Sequence, residues 1–409
     1  MKAGWAIRPL GEVCEFQRGL TYVKTDEVEV SNNIVLRATN IDLETSLLDL
    51  AELKYINDSV VVQASKKVKK DSLLICTASG SKSHLGKVAY IDDDYDFAFG
   101  GFMGMLTSNE SVLPRYFFHL MTSGAYKDFI AALSDGANIN NLKFSDLQQF
   151  PVPIAPLPEQ QRIVAILDEV FDGIATARAN AEQNRQNARA LFESHLQSIF
   201  TQRGEGWVEN KLKILTTKIG SGATPRGGEE SYKPDGISLI RSLNVHDFGF
   251  RYRKLAFLDN AQADELSNVA VQARDVLLNI TGASVARCCI VPEDVLPARV
   301  NQHVSIIRPI ADKLDADFLH YLLISKIYKD QLLQTGSEGG STRQAITKTQ
   351  IQDFTIEYPA TVAEQKNIVA KLDTIFTQTQ RLESLYQQKL AALDDLKKSL
   401  LHQAFSGQL

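Results

Sequence analysis

Two long segments of the chain carry apolar residues at alternating spacings of four and three, a pattern typical of helices that pair along an apolar seam. One segment begins near residue 159 and the other near residue 364, and prolines precede both, as expected before a helix begins. Each predicts a helix of about 40 residues. The predicted seam positions are Ile163, Leu167, Val170, Ile174, Ala177, Ala181, Asn184, Ala188 and Leu191 in the first helix, and Ile368, Leu372, Ile375, Thr379, Leu382, Tyr386, Lys389, Leu393, Leu396 and Leu400 in the second.

The two predicted helices are copies of each other. Residues 159–171 (EQQRIVAILDEVF) align with 364–376 (EQKNIVAKLDTIF), and eight of these thirteen positions are identical. The offset between the copies, 205 residues from Glu159 to Glu364, continues without a gap to the end of the segment. We expect the copies to pair as an antiparallel coiled coil with pseudo-twofold symmetry, in which small residues face large ones. The predicted facing pairs are Ala177 with Leu393, Ala188 with Leu382, and Asn184 with Tyr386.

The segments before the helices show short β-rich runs broken by Gly, Asn and Asp, each followed by a helical stretch. These segments also repeat, since residues 71–80 (DSLLICTASG) match residues 275–284 (DVLLNITGAS). The predicted fold class is therefore α+β, with two tandem domains, each having a curved or partly closed sheet and each followed by a long helix. The predicted boundaries are 1–155 for the first domain, 156–203 for its helix, 204–358 for the second domain and 359–409 for the second helix.

Composition adds little to this picture. Hydrophobic residues make up 44% of the chain and charged residues 23%, which is ordinary for a globular protein. No apolar run reaches the roughly 18 residues of a membrane span, and the first residues lack the apolar core of a signal peptide, so we expect a cytoplasmic protein. The net charge of −5 argues mildly against nucleic-acid binding. The four cysteines form no C-x-x-C pair, so neither a disulfide framework nor a metal site is expected.

Catalytic motifs are missing from the sequence. It contains no G-x-x-x-x-G-K-[ST] phosphate loop, no [DN]-P-P-[YF] of amino-methyltransferases, and neither H-E-x-x-H nor G-x-S-x-G. We therefore predict that the chain is not an enzyme.

Three loops in each copy are rich in hydrogen-bonding side chains, and each taken alone is also compatible with an ordinary solvated loop. They lie at 77–87, near 96–101 and at 135–143 in the first copy, and at 281–287, 301–303 and 336–348 in the second. Arg and Lys can pair with guanine in the major groove, and Asn and Gln with adenine. Glycine-rich turns let backbone N–H groups approach phosphates. The candidate DNA-contacting residues are Arg37, Lys82, His84, Lys87, Asn138, Asn140 and Asn141 in the first copy, and Arg241, Ser284, Arg287, Gln302, His303, Thr342, Arg343 and Gln344 in the second.

Several of these stretches resemble the specificity subunits of type I restriction–modification systems. PLPEQQRIVAILD (156–168), its echo AEQKNIVAKLD (363–373) and the terminal AFSGQL (404–409) are similar to the repeated regions of that family. DSLLICTASGSKSHLGKVA (71–89) and NQHVSIIRP (301–309) are similar to parts of its target-recognition domains. The resemblance covers nearly the whole chain in the same order. One departure is the lead into the second helix, YPATVAEQ, which lacks the Pro-x-Pro of the first.

The resemblance implies that each target-recognition domain reads one half of a bipartite target in double-stranded DNA. The paired helices would set the gap between the halves and dock two methyltransferase subunits, with two motor–nuclease (restriction) subunits added for cleavage. No cofactor would bind this chain, because S-adenosylmethionine, ATP and Mg²⁺ would belong to the partner subunits. The candidate partner-binding residues are Glu159, Gln160, Glu364 and Gln365.

Two other functions stay open from the sequence. The chain could be a duplicated coiled-coil scaffold whose domains bind protein, or a stand-alone nuclease or methyltransferase, against which the missing motifs argue. Salt-dependent DNA binding separates the first alternative from a DNA reader, since phosphate contacts make affinity fall with salt.

Overall fold

A computed structural model describes residues 4–80, 84–135, 141–337 and 345–409 of the chain. The chain forms two compact units, the first made of residues 1–182 with 387–409 and the second of residues 183–386. The strands of the first unit are β1 (Ala6–Pro9), β2 (Cys14–Arg18), β3 (Glu27–Val28), β4 (Asn33–Leu36), β5 (Lys54–Ile56), β6 (Leu73–Cys76), β7 (Val88–Tyr90), β8 (Phe97–Phe99), β9 (Met103–Ser108) and β10 (Pro151–Ile154). The helices that begin there are α1 (Leu10–Val13), α2 (Pro114–Met121), α3 (Gly124–Asp135), α4 (Phe144–Leu147) and α5 (Leu157–Gln202).

The second unit repeats most of this order of elements, with a short hairpin, a helix and a further strand added. Its strands are β11 (Trp207–Lys211), β12 (Thr216–Ser221), β13 (Ile237–Ile240), β14 (Val245–His246), β15 (Gly249–Phe250), β16 (Ala256–Leu258), β17 (Ala270–Val271), β18 (Val276–Asn279), β19 (Cys288–Ile290), β20 (Ala298–Val300), β21 (Val304–Pro309) and β22 (Thr355–Pro359). Its helices are α6 (Leu212–Leu215), α7 (Asn260–Glu265), α8 (Ala316–Ile324), α9 (Lys326–Ser337), α10 (Lys348–Asp353) and α11 (Val362–Ser406).

Each unit is built on two four-stranded sheets, an antiparallel sheet with the same strand order in both units and a mixed sheet with three equivalent strands but a different edge strand. The first unit has an antiparallel sheet in the order β2-β9-β6-β7 and a mixed sheet in the order β3-β5-β4-β8, in which β4 and β8 are parallel. The second unit has β12-β21-β18-β19 and β16-β13-β20-β17, with β13 parallel to β20. They differ at the edges, since β3 extends the mixed sheet beside β5, whereas β17 extends the other edge beside β20.

Strand β6, in the interior of the antiparallel sheet, lies between two hydrophobic cores. Alternate residues of a strand point to opposite faces. In β6, Leu73 and Ile75 join the core that contains α2 and α3, while Leu74 and Cys76 join the core of the mixed sheet. Because all four side chains are buried, β6 has no solvated face. The α+β class predicted from the sequence is confirmed.

The helical stretch predicted in each domain is broken in two by a buried serine. Ser123 separates α2 from α3, and Ser325 separates α8 from α9. Ser325 has an extended backbone, with ψ of 142°, while its N–H still donates to the carbonyl of Tyr321 at 3.1 Å. Its own carbonyl then accepts from Lys329 N–H at 2.9 Å and starts the next helix.

The two long helices pack antiparallel, as predicted. In the first unit, Ile163 near the start of α5 shares a core with Leu401 near the end of α11. In the second unit, Phe200 at the end of α5 shares a core with Leu372 near the start of α11. The helices contain 46 and 45 residues, slightly more than the pattern predicted.

The predicted seam holds only in part. Leu191 is 48% exposed and Leu396 is 45% exposed, and Leu382, Asn184 and Lys389 are exposed as well, so these five positions are wrong. The residue buried in place of Leu191 is Phe192. Towards its end, α5 packs against the second domain as well as against α11, so its buried residues follow a spacing of four. These residues are Ala188, Phe192, Leu196 and Phe200.

A partly buried ionic cluster joins α5 to the first domain. Asp168 of α5 accepts from Arg115 Nη2 at 2.6 Å and from His119 Nε2 at 2.7 Å, and both partners lie on α2. Burial would raise the pKa of Asp168, but these two hydrogen bonds lower it to about 2. Asp373 takes the same place in the second unit and accepts from the Tyr321 hydroxyl at 2.6 Å.

Candidate nucleic-acid interface

The three polar loops predicted in each domain meet at one corner, except that the loop predicted near residues 96–101 is mostly strand β8, and the turn Gly100–Phe102 takes its place. In the first unit, Thr77 N–H donates to the Phe102 carbonyl at 2.9 Å, and Leu142 N–H donates to the Thr77 carbonyl at 2.6 Å. In the second unit, Ile280 N–H donates to the His303 carbonyl at 3.0 Å, and Ile346 N–H donates to the Ile280 carbonyl at 2.8 Å. The same corner is therefore built twice, with Phe102 and His303 in equivalent positions.

A glycine brings a further loop against each corner. A Cβ on Gly222 would lie 1.7 Å from the Val300 carbonyl oxygen, and one on Gly19 would lie 2.0 Å from the Gly100 carbonyl oxygen. No side chain fits at either position, so only glycine permits this close approach. Gly222 N–H also donates to the Asn301 carbonyl at 3.1 Å, which places Thr224 beside the Asn301–His303 turn.

Four polar side chains form a continuous hydrogen-bonded row at the second corner. The Thr224 hydroxyl donates to Gln302 Oε1, and Gln302 Nε2 lies 3.0 Å from His303 Nε2. His303 Nδ1 lies 2.6 Å from the Thr281 hydroxyl. The structure thus brings together the predicted residues Gln302 and His303 with two threonines that the sequence had not singled out.

Arg37 and Arg241 occupy equivalent turns but differ in their partners. Each N–H donates to an asparagine three residues later, at 2.9 Å to Asn40 and 3.0 Å to Asn244. The Arg241 guanidinium pairs with Glu229 at 2.7 Å, and its side chain is only 12% exposed. A base contact by Arg241 would first have to break this pair, so we withdraw Arg241 from the reading residues. Arg37 is half-buried, and its Nε has no hydrogen-bond partner among the described residues.

Lys87 has an internal role rather than an exposed one. Its ammonium donates to the Ile41 carbonyl at 2.9 Å, and burial lowers the pKa of Lys87. This contact holds the turn at Ile41, so we withdraw Lys87 as well. His84 is half-buried, and its Nδ1 lacks a hydrogen-bond partner among the described residues.

The remaining predicted residues divide into two sets. Ser284 accepts from Asn279 Nδ2 at 3.2 Å, and Asn141 is exposed at the first corner, where its backbone pairs with Ala78. The others fall outside the described residues. These are Lys82, Asn138, Asn140, Thr342, Arg343 and Gln344.

Arg287 lines a basic groove in the second unit. The groove, of about 300 Å³, lies between the β14–β15 hairpin and Arg287, and His246 and Arg251 also line it. Its one carboxylate, Asp247, is engaged by Lys329 and by the N–H of Cys288 at 3.1 Å. Neither arginine forms an ion pair with any residue that the structure describes. Burial and the charge of Arg251 lower the pKa of His246, so the groove keeps its positive charge on the two guanidinium groups.

The two candidate partner-binding glutamines are fully buried. Gln160 accepts from Leu113 N–H at 2.8 Å and donates to the Ser111 and Ala155 carbonyls. Gln365 makes the equivalent three bonds to Asp315, Lys313 and Pro359. Both side chains therefore fasten the start of a long helix to its own domain. We withdraw both from the partner surface.

The two glutamates lie at the helix surface. Glu159 is half-buried and forms a bidentate pair with Arg162, at 2.8 and 2.9 Å. Glu364 is exposed and accepts from the Thr361 hydroxyl at 2.9 Å. Both carboxylates stand in the first turn of a helix, where the helix dipole favours negative charge.

Sequence reasoning missed Phe102, Thr224, His246 and Arg251 as site residues. Phe102 is 73% exposed although it is aromatic, and it lies between two short strands in the sequence FGGFMG. The flanking glycines were a signal for an exposed turn. The other three are isolated polar residues whose convergence depends on contacts between distant parts of the chain.

No helix of the described chain is long and apolar enough to cross a membrane. The described residues also contain no cluster of three or more His, Cys, Asp or Glu side chains arranged to hold a metal ion.

Comparison with known proteins identifies the family. The model of the type I restriction modification DNA specificity domain matches residues 2–183 and 206–391. The chain is 26% identical to the specificity subunit of the type I restriction enzyme EcoKI from Escherichia coli (strain K12). It is 25% identical to the specificity subunit of StySPI from Salmonella potsdam. Each alignment covers 99% of this chain and 89% of the relative.

Solved structures share the fold. A chain from a structural study of complex assembly and conformational transition of the type I R-M system aligns with a TM-score of 0.80 at 21% identity, over 100% of this chain and 99% of that one. The HsdS subunit from Thermoanaerobacter tengcongensis aligns with a TM-score of 0.63 at 20% identity, over 100% and 98%. This chain therefore belongs to the type I restriction–modification specificity family and is a non-catalytic targeting subunit with two recognition domains.

Proposed function

We propose that the two recognition domains read the two halves of a bipartite DNA target, each through the polar corner described above. The observation that carries this proposal is the repetition of the corner with different side chains. Phe102 stands in the first unit where His303 stands in the second, on the same backbone hydrogen bonds. The same backbone arrangement that carries different side chains in the two units is suited to reading two different half-sites. Family membership does not favour the alternative of a duplicated protein-binding scaffold.

The partners follow from the family rather than from the geometry. We propose that two methyltransferase subunits and two restriction subunits assemble with this chain in the cytoplasm. Those subunits would bring S-adenosylmethionine, ATP and Mg²⁺. The exposed apolar residues Leu382 and Leu385 of α11 are candidates for contact with a docked subunit. Glu159 and Glu364 remain candidate contacts at the helix starts.

The segments keep their predicted roles in this proposal. Residues 1–155 and 204–358 would read DNA, while residues 156–203 and 359–409 would set the unread gap. Half-sites read from one face of B-DNA lie about 34 Å apart, and a helix of 45 residues is roughly 68 Å long. A pair of such helices is therefore long enough to carry two reading domains at that separation.

Domain exchange tests the proposal. Residues 1–155 are replaced by the corresponding domain of another family member, and the complex with its methyltransferase subunits is mapped by methylation sequencing in cells. We expect one half-site to change and the other to stay. Replacing residues 204–358 should change the opposite half-site. A change in both halves, or in neither, would contradict independent reading.

A further inference from the structure

Gln302 is an exposed amide whose orientation is fixed from both ends. Its oxygen accepts from the Thr224 hydroxyl, and one hydrogen of Nε2 is directed at His303 Nε2, 3.0 Å away. An unrestrained glutamine side chain loses rotamer freedom when it is immobilised, and this loss opposes binding. Here the protein itself restricts the side chain, so less of this entropy remains to be lost when a ligand binds.

The backing residues are themselves held in place. His303 Nε2 must be unprotonated to accept from Gln302, so Nδ1 carries the hydrogen and donates to the Thr281 hydroxyl at 2.6 Å. The His303 N–H donates to Asn301 Oδ1 at 3.0 Å, and Asn301 is buried. Each hydrogen bond in the row is therefore donated in the same direction, from Thr224 through Gln302 and His303 to Thr281.

The atoms left unused define the ligand. An amide has two N–H hydrogens and two oxygen lone pairs. After the bonds to Thr224 and His303, Gln302 keeps one of each for a ligand. Adenine presents one acceptor, N7, and one donor, the N6 amino group, at its major-groove edge. Guanine presents two acceptors, which would set its O6 against the amide oxygen.

The described residues of the first unit form no equivalent of this hydrogen-bonded glutamine. The turn equivalent to Asn301–His303 is Gly100–Phe102, so the place of Gln302 is taken by Gly101, which has no side chain. The exposed Phe102 beside it can make only apolar contact. The two corners therefore differ in the kind of base edge they can recognise.

We infer that Gln302 reads an adenine through its N7 and N6 groups in the half-site bound by the second domain, with His303 and Thr224 as positioning residues. This inference rests on the proposed DNA-reading function and adds to it the base, the reading side chain and the domain.

The test removes the Gln302 side chain and the adenine N7 atom, separately and together, in the assembled complex with its methyltransferase subunits. Duplexes carry the mapped target with 7-deazaadenine, which lacks the N7 acceptor, at each adenine of the second half-site in turn. Binding is measured by competition for the unchanged complex and for Gln302→Ala. We expect Gln302→Ala to weaken binding to the target by about 5- to 140-fold. At one adenine, 7-deazaadenine should weaken binding by the unchanged complex and cause no further loss in the variant.

Several controls separate this reading from a loss of structure. Gln331→Ala, on the exposed face of α9 in the same unit, should bind as the unchanged protein does. Gln302→Ala should unfold at the unchanged temperature and keep the unchanged salt dependence. His303→Ala should reduce discrimination between adenine and guanine at the same base pair, and His303→Gln, which restores an acceptor, should recover part of it.

Three outcomes would overturn the inference while leaving the reading function intact. The second half-site could contain no adenine, or Gln302→Ala could bind normally. The third outcome is that the fold-losses in affinity from 7-deazaadenine and from Gln302→Ala multiply at every adenine, as they do when the two groups do not contact each other. Failure of the proposed function looks different, because then exchange of residues 204–358 would leave both half-sites unchanged.

Discussion

Arg178 of α5 forms an ion pair with Asp394 of α11 in the first unit, and the repeat offset carries this pair onto Glu383 and Arg189, which pair in the second unit. Residue 178 corresponds to 383 and residue 189 to 394, so base and acid exchange repeat positions between the copies, while both arginines lie on α5 and both acids on α11. An alignment of the copies shows these as mismatches, arginine against acid. The antiparallel packing turns each mismatch into a complementary pair.

Reversing one charge should therefore be repaired by reversing the other. Arg178→Glu is expected to lower the free energy of unfolding by about 1 kcal/mol, the upper range for a partly exposed ion pair, because it also meets Glu44. The double variant Arg178→Glu/Asp394→Arg should recover part of that loss in urea unfolding. Arg381→Glu, at an exposed position of α11, is the matched control. Additive losses in the double variant would contradict direct pairing.

The buried glutamines should matter more for stability than the surface charges. Gln160→Leu removes three hydrogen bonds and leaves the Leu113 N–H without its partner, so we expect a loss of about 3 kcal/mol in the free energy of unfolding. Gln365→Leu should cost a similar amount through the second unit. The neighbouring Gln161 is exposed, and Gln161→Leu should change stability by less than about 0.5 kcal/mol. Equal effects at positions 160 and 161 would argue against the fastening role.

Stability should fall as the pH drops below neutrality. Burial lowers the pKa of His119, with a partial offset from Asp168, so His119 is neutral in the folded chain. Its Nε2 donates to Asp168, and its Nδ1 has no hydrogen-bond partner among the described residues, so a second proton would be buried unpaired. The unfolded chain binds that proton below about pH 6.5, so stability is lost as the pH falls through that value. Loss of the Asp168 pairing adds to this below about pH 4, the unfolded carboxyl pKa.

This pH dependence can be assigned by substitution. His119→Gln keeps a donor for Asp168 but cannot take up a proton. Its free energy of unfolding should therefore fall less between pH 7 and pH 5 than that of the unchanged chain. The half-buried His320, whose pKa burial also lowers, should contribute a further part of the slope. His195→Gln, at an exposed position of α5, serves as control. An unchanged slope in His119→Gln would exclude His119 as a source.

The basic groove should contribute to affinity without contributing to sequence choice. Arg251 and Arg287 are suited to a backbone phosphate, because neither guanidinium has an ion pair among the described residues. Replacing either with Ala should weaken binding to target and non-target duplexes alike. Each should also reduce the slope of log affinity against log salt by about 0.9. Lys326→Ala, which only breaks an exposed pair with Asp330, should leave the slope unchanged. A loss confined to the target duplex would point to base reading instead.

Lengthening both long helices tests the spacer role directly. Four residues inserted after Glu182 and four after Gln387, equivalent positions of the repeat, add about 6 Å to each helix. We expect methylation sequencing to report a longer gap between unchanged half-sites. Insertion in only one helix should disturb the packing of the pair and lower the extent of methylation by the assembled complex. A gap that stays the same after both insertions would contradict the proposal that the paired helices set its length.

Much of the architecture was predictable because it depends on periodicity and repetition. The alternating apolar spacing and the gap-free offset of 205 residues from Glu159 to Glu364 predicted two paired, antiparallel helices, and the structure confirms them. The same repeat located the three polar loops of each domain. These features are local in the chain or are carried by identical residues, so sequence alone determines them.

The partners of individual side chains were decided only by the tertiary structure. Arg241, Lys87 and Gln160 have the chemistry of binding residues, yet each is engaged in contacts within its own domain. Leu191 fits the seam by spacing, yet Phe192 is buried in its place because a domain packs against that end of the helix. Gln302 became a sharper candidate for the opposite reason, since Thr224 and His303 hold its amide and leave one donor and one acceptor unused. A sequence specifies which groups can bind, and the fold determines which of those groups remain available.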